Sequence, residues 1–278
     1  MVVVLALVLT WACTTDRSSG DAPPPGGDRG PDIARKGPSG SSGSRRPTGP
    51  RVGATWQYQL TGDLDLDVRA EVFDVDGERT SAEQVERLHR NDAFVICYLS
   101  AGSYEPWRPD ADSYPAEVLG RPLAGWPDER WVDVRATDVI LPIIEERVRM
   151  CSEKGFDGVE FDNVDGWINE TGLPLTPEDQ LTFNRALAEL AHRHGLAAGL
   201  KNNAEQVPQL VDHFDFAVVE ECVRHGECTR FQPFLDAGKA VFVVEYEGSV
   251  EEVCRSLAEM EVRAVLKDLD LGPTRRSC

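Results

Sequence analysis

The segment Gly155–Phe156–Asp157–Gly158–Val159–Glu160–Phe161–Asp162–Asn163–Val164–Asp165–Gly166 decides how this chain is read. It opens as a buried strand, with Phe156, Val159 and Phe161 supplying apolar, strand-favouring side chains. It closes in acid, with Glu160, Asp162 and Asp165. Side chains alternate faces along a strand, so Glu160 and Asp162 share one face. Two carboxylates at the tip of an apolar strand are costly to bury unless they are paired or used. A solvated acidic loop or a calcium-holding turn would explain the acids equally well if the segment stood alone.

It does not stand alone. From Gly53 onward, short apolar runs alternate with helical patterns. Ahead of the segment, Trp56–Leu60, Ala70–Val75 and Ala93–Leu99 read as strands. A helix capped by Ser81, with Gln84 completing the capping box, lies between the second and third. A long insertion rich in Pro and Trp follows the loop Ser100–Glu105 and holds Trp107, Trp126 and the run Trp131–Val134. A helix from Asp138 to Lys154 then leads into the segment, with Pro142 placed in its first turn. Beyond the segment, Thr176–Pro177–Glu178–Asp179 is a helix start and Gly195 its stop. Leu196–Asn202, Phe214–Glu221, Lys239–Tyr246 and Val262–Asp268 are further strands, with a helix over Val250–Glu261. Eight strands with mostly helical connections predict a parallel (β/α)8 TIM barrel, with the opening segment as its fourth strand. No GxGxxG or GxxxxGK[ST] follows any strand, which removes dinucleotide and P-loop readings.

In such a barrel the C-terminal strand ends converge on one face, where active sites lie. Polar residues collect there: Gln57 and Gln59 on strand one, Tyr98 on strand three, Glu160 and Asp162 on strand four. Lys201 and Asn202 follow on strand five, Glu220 and Glu221 on six, Glu245 and Tyr246 on seven, Lys267 and Asp268 on eight. Paired carboxylates from different strands suit glycoside hydrolysis, which needs a proton donor and an anion flanking one bond. Asp162 and Glu220 are the catalytic candidates. Trp56, Tyr98, Tyr104 and Tyr246 are candidates to stack on sugar faces, though each taken singly also suits core packing. Gln57 and Asn202 are candidate substrate contacts, and Lys201 either tunes a carboxylate or pairs with Glu160. His192 and His194 are read as surface or packing residues.

Composition narrows the partners. The chain has 278 residues, 48 acidic against 29 basic, a net charge of -19 and a mean hydropathy of -0.34. That charge argues against nucleic acid and anionic membrane surfaces, and favours a cationic ligand or simple solubility. Residues 53–278 form one expected domain, a monomer with no cofactor. Of seven cysteines, Cys13 stands apart at the end of the hydrophobic run Val2–Ala12. The other six form an even set without Cys-x-x-Cys, and the histidines are scattered, so disulfides are expected rather than zinc. Cys222–Cys228 is the first expected pair; Cys97–Cys151 and Cys254–Cys278 complete a connectivity that spacing does not fix.

Residues 1–13 read as a secretory signal peptide, and Leu9–Cys13 resembles a bacterial lipobox, which makes Cys13 the candidate lipidation site and sole membrane attachment. Trp11 and the missing basic residues before the run depart from that pattern. Residues 14–52, rich in Gly, Pro and Ser, are expected to form a disordered linker. The expected location is extracellular, free or anchored to the bacterial membrane.

The phrases GFDGVEFDNVDGW, PLTPEDQLTFNRALAELAH, GLKNN, FDFAVVEEC and GKAVFVVEY together resemble glycoside hydrolase family 114 over about Trp56–Leu271. These are endo-α-1,4-polygalactosaminidases with a (β/α)8 barrel. The resemblance implies cleavage of α-1,4-linked galactosamine polymer, with Asp162 as nucleophile and Glu220 as acid/base. Phe161 and Val219 depart from the residues usual in the family phrases. A galactosamine polymer is cationic, so Glu160, Asp165, Glu221 and Glu245 are candidate partners for its ammonium groups. A non-catalytic polysaccharide-binding protein, or a hydrolase holding a metal with Glu160, Asp162 and Asp165, are the competing readings.

Overall fold

The computed structural model describes residues 47–278. The hydrophobic run, Cys13 and the expected linker up to residue 46 lie outside the described residues. The chain joins the folded body ahead of Gly53: Pro50 is buried, and Arg51 donates to Glu71 at 2.6 Å.

Eight parallel strands follow one another around the sheet: β1 (Trp56–Gln59), β2 (Val72–Asp76), β3 (Phe94–Ser100), β4 (Gly158–Asp162), β5 (Ala197–Lys201), β6 (Phe216–Glu220), β7 (Ala240–Glu245) and β8 (Arg263–Leu266). All eight expected strands are present, in the order of a (β/α)8 barrel. Around them lie α1 (Ala82–His89), α2 (Thr137–Lys154), α3 (Pro177–Arg193), α4 (Val207–Leu210), α5 (Cys222–His225), α6 (Gln232–Asp236) and α7 (Val250–Ser256). Capping boxes start α1 at Ser81, α3 at Thr176 and α7 at Ser249, each giving orphan N–H groups a side-chain acceptor. Gly155, with φ of 87°, ends α2 in the left-handed conformation. Pro142 lies one residue deeper than in the sequence reading, in the second turn, because α2 begins at Thr137 rather than Asp138. The bond it removes would have ended on the carbonyl of Asp138, an exposed residue of the first turn. The last helix stops at Ser256 rather than Glu261.

Alternation along the strands separates two cores. Trp56, Tyr58, Ile96, Phe216, Val218, Phe242 and Val265 fill the barrel, while Phe73, Val95, Val159, Leu200 and Val243 face the helices. Gly199 makes the interior packing possible: a Cβ there would sit 2.3 Å from the ring of Phe216. The ladder is continuous from β1 to β8, and the remaining seam is closed by side chains and the C-terminal tail. Trp56 Nε1 donates to Arg263 O (3.1 Å) and Gln57 Nε2 to Pro273 O (2.8 Å). The Arg275 guanidinium donates to the carbonyls of Trp56 and Arg69.

The insertion after β3 folds into a three-stranded antiparallel sheet of Ser103–Tyr104, Leu119–Leu123 and Trp126–Val132. Buried ion pairs fasten it to the barrel. Arg108 grips Glu105 with two bonds of 2.8 Å and reaches Asp76 at 2.9 Å, and Arg147 of α2 grips Asp110 at 2.6 and 2.7 Å. The disulfides are Cys97–Cys151, Cys222–Cys228 and Cys254–Cys278, the three expected pairs. The first ties β3 to α2, and the last ties the C-terminal tail to α7.

Candidate active site

At the C-terminal ends of the strands lies a cleft of about 1150 Å³. Its floor is made by Tyr58, Tyr98, Asp162, Lys201, Glu220 and Tyr246, and the insertion raises one wall with Trp107, Trp126 and Glu129. These floor residues occupy inward-facing positions of β1, β3, β4, β5 and β6, with Tyr246 just past β7. Strand alternation therefore brings them together from across almost two hundred residues of sequence.

Lys201 is the hub. Its ammonium is buried and lies 3.1 Å from Asp162 Oδ1, 3.3 Å from Glu220 Oε2 and 3.3 Å from Glu160 Oε1. Burial alone would drive the proton off; the carboxylates of Asp162, Glu220 and Glu160 outweigh it and hold the group charged, well above its ordinary pKa. Each reacting candidate has further donors. Tyr98 Oη donates to Asp162 Oδ2 at 2.7 Å, and the Asn163 N–H to Oδ1 at 2.9 Å. Glu220 accepts from Asn202 Nδ2 at 3.2 Å and from the Tyr246 hydroxyl. Burial, then the charge of Glu220, raises the Tyr246 pKa far above that of a free phenol, so it stays a donor.

The backbone turns sharply after each of these groups. Asn163 follows Asp162 with φ of 61°, Asn202 and Asn203 follow Lys201 with 49° and 55°, and Glu221 follows Glu220 with 53°. Asparagine tolerates this left-handed region; for Glu221 it is a strained choice. Gly102 lies against the first turn, where a Cβ would come within 1.7 Å of Asn163 O. Its N–H and that of Ala101 donate to the Asp162 carbonyl at 3.1 and 3.0 Å.

Two more carboxyls face the cleft. Burial, then the charge of Asp162, pushes Asp165 up to about 7. Burial likewise pushes Glu129 up to about 7, against the opposing bond from Ser103 Oγ at 2.7 Å.

Of the residues singled out in the sequence, Asp162, Glu220, Tyr98, Lys201, Asn202, Asp165 and Tyr246 line the cleft, and Glu160 lies buried directly beneath Lys201. Five lie elsewhere. Trp56 is packed inside the barrel, and Gln57 is on the opposite face of β1 against the tail. Tyr104 packs edge-on to Tyr114, Glu221 pairs with Arg224, and Glu245 is buried on the helix side of β7, accepting from the Val223 N–H at 2.8 Å. Glu245 alternates with Val241 and Val243, which face the helices, so its parity already excluded it from the cleft. His192 and His194 pair with Asp215 and Glu145, as befits packing residues. The metal-site alternative finds the Lys201 ammonium between Glu160 and Asp162; among the described residues no group of three His, Cys, Asp or Glu side chains is arranged to hold a metal ion.

Tyr58, Glu129, Trp107 and Trp126 line the cleft and were missed in the sequence. Tyr58 shares the inward parity of Trp56, so it left a signal. Glu129 and Trp126 reach the cleft on the small sheet, whose Gly- and Pro-broken strands show no alternation to read, and Trp107 on the turn after its first strand.

Comparison with known proteins supports the fold and the family. The glycoside-hydrolase family GH114 model matches residues 38–278. Ega3 of Aspergillus fumigatus, solved in complex with galactosamine, is 33% identical, with 82% of this chain and 96% of that one covered at a TM-score of 0.78. The glycoside hydrolase domain of PelA from Pseudomonas aeruginosa shares the fold at 16% identity, covering 80% and 97% with a TM-score of 0.64. No curated protein sequence matches the chain.

Proposed function

We propose that this chain, which belongs to glycoside hydrolase family GH114 and is a glycoside hydrolase, cleaves α-1,4-linked galactosamine-containing polysaccharide with Asp162 as nucleophile and Glu220 as acid/base. The observation that carries the reading is the pair of carboxylates joined by one buried ammonium on the cleft floor. Asp162, oriented by three donors, attacks the anomeric carbon, while protonated Glu220 gives its proton to the departing glycosidic oxygen. A glycosyl ester on Asp162 results. Glu220, now ionised, takes a proton from water, which attacks the same carbon and frees Asp162.

Two inversions give net retention. The near oxygens of the two carboxylates lie 3.1 and 3.3 Å from the same nitrogen. Their separation cannot exceed the sum of those distances, which favours the close spacing of about 5–5.5 Å over the roughly 6.5–9.5 Å of inverting enzymes. The galactosamine seen with Ega3 supports an amino-sugar substrate. Asp165 and Glu129, rather than Glu221 and Glu245, are the carboxylates placed to meet its ammonium groups. Trp107 and Trp126, 56% and 52% exposed, offer faces for sugar rings. Three disulfides support an extracellular location.

The test is incubation of the purified chain with defined galactosamine oligomers, reading products by mass. Asp162→Asn and Glu220→Gln are each expected to lose about 10²–10⁴-fold in turnover. Undiminished turnover in either variant overturns the site. Equal cleavage of fully N-acetylated oligomers overturns the ionic reading of specificity.

A further inference from the structure

Asp74, midway along β2, has no part in the chemistry above, yet it shares complete burial with Glu160. Neither of its carboxyl oxygens has an ordinary hydrogen-bond donor, and neither does Glu160 Oε2, the atom that completes the Glu160 carboxyl. The two carboxyls meet each other inside the barrel. Two bare carboxylates in contact in a dry interior repel; one shared proton satisfies the facing oxygens of both. The neighbours decide where that proton resides. Glu160 Oε1 receives the Lys201 ammonium and the Tyr58 hydroxyl, each at 3.3 Å, whereas Asp74 receives neither. Glu160 is therefore the anion and Asp74 the acid. Burial, then the charge of Glu160, raises the Asp74 pKa well above the usual carboxyl range.

We propose that Asp74 is a positioning residue, protonated throughout the working pH range, whose hydroxyl holds Glu160 as the fixed anion beneath Lys201 and so sets the charge and height of the ammonium that joins Asp162 and Glu220. This rests on Asp162 and Glu220 being the reacting pair. The groups acting on Asp74 come from across the barrel: Glu160 and Asp162 from β4 and Lys201 from β5. Tyr58 of β1 completes the set through its bond to Glu160. An ionised Asp74 would put a fourth carboxylate around one ammonium. With Asp74 neutral, Lys201 faces three, and two once Glu220 carries the proton it donates.

Asp74→Asn keeps the shape, the neutrality and a donor toward Glu160. It is expected to retain turnover within about twofold and leave the acid limb of kcat/KM where it is. Asp74→Leu removes the donor and leaves Glu160 Oε2 bare, with turnover falling about tenfold at little change in KM. Glu160→Gln removes the anion, and the acid limb moves to lower pH. Two results overturn the proposal: a downward shift of that limb in Asp74→Asn, as an ionised Asp74 requires, or a tolerated Glu160→Gln beside a crippled Asp74→Asn, which puts the proton on Glu160. A second readout needs no turnover. Infrared difference spectra at a pH of about 9, above the titration of Asp165 and Glu129, are expected to show a protonated carboxyl in the wild type that Asp74→Asn lacks. No such band overturns the proposal. A wrong assignment of the reacting pair would appear instead as undiminished turnover in Glu220→Gln, with the Asp74 band unchanged.

Discussion

Replacing Lys201 by Met tests the architecture of the floor most directly. Methionine keeps the length and apolar bulk of the lysine stem, so little cavity forms and the effect is that of charge. The ammonium lies 3.1–3.3 Å from Asp162, Glu160 and Glu220. At this separation one ion pair is worth about 5 kcal/mol before desolvation, at an effective dielectric of about 20. Desolvation offsets most of that, and breaking a buried pair leaves a net loss of about 3–5 kcal/mol, because the stranded carboxylates remain buried. For a domain of this size each kcal/mol moves Tm by about 2–4 °C, so Lys201→Met is expected to melt about 10 °C lower. The pH dependence has a defined sign. The folded-state pKa of Lys201 is raised, so its contribution is whole below the unfolded value of about 10.4 and is lost only as pH rises through the folded value. The gap in Tm should thus hold steady between about pH 7 and 9 and narrow in stronger alkali. Differential scanning fluorimetry across pH, paired with kcat/KM profiles, measures both, and the acid limb of the variant is expected at higher pH. A Tm within about 2 °C of the wild type, or an unmoved acid limb, would show that the ammonium does not govern the cluster.

Burial is the chief cause that pushes both Asp165 and Glu129 up to about 7. For a carboxyl so raised, stability is complete below its unfolded pKa of about 4 and is lost as pH climbs through the folded value. The free protein should therefore lose thermal stability between about pH 4 and 7 while its affinity for a cationic oligomer rises across the upper part of that window. Calorimetric titration of a deacetylated oligomer at several pH values checks this, and affinity falling toward neutrality would sink it. Gly102→Ala drives a Cβ to 1.7 Å from Asn163 O, on the turn that carries Asp162, whereas Gly199→Ala strikes the Phe216 ring at 2.3 Å inside the barrel. Both are expected to cost at least about 1–3 kcal/mol of stability, and the first also more than tenfold in turnover of whatever protein still folds. Melting curves and kcat for the two variants separate them; matching phenotypes would refute the distinction.

Much of this was legible because a parallel barrel writes its layout as period two. Gly158–Asp162 alternates apolar Val159 and Phe161 with acidic Glu160 and Asp162, while Phe216–Glu220 is an apolar run ending in Glu220 on the inward parity of Phe216 and Val218. Parity and strand-end position alone bring Asp162, Lys201 and Glu220 together. The same rule, applied strictly, would have removed Gln57 and Glu245. What period two cannot show is depth. Trp56 and Tyr58 both point inward, and only packing against Phe242 below and Lys201 above tells which reaches the cleft. Nor does it show a partner that exists to share a proton: Asp74 reads as an interruption in an apolar strand until Glu160 lies beside it. The small sheet was illegible for a different reason. Its pairing slips between Leu119, Pro122 and Leu123, so no regular register is imprinted on its sequence.

That small sheet has a consequence for how such a chain can diversify. Its base is riveted to the barrel by Arg108 and Arg147, while its tip turns at Gly125 with φ of 84° and nothing within 4 Å of where a Cβ would stand. Residues there, Trp126 among them, are free to vary without disturbing the rivets or the strands beneath. The rim is thus an exchangeable cassette on a fixed chassis. Lineages, and protein engineers, can swap tips to meet differently decorated polymers while inheriting the same chemistry unaltered.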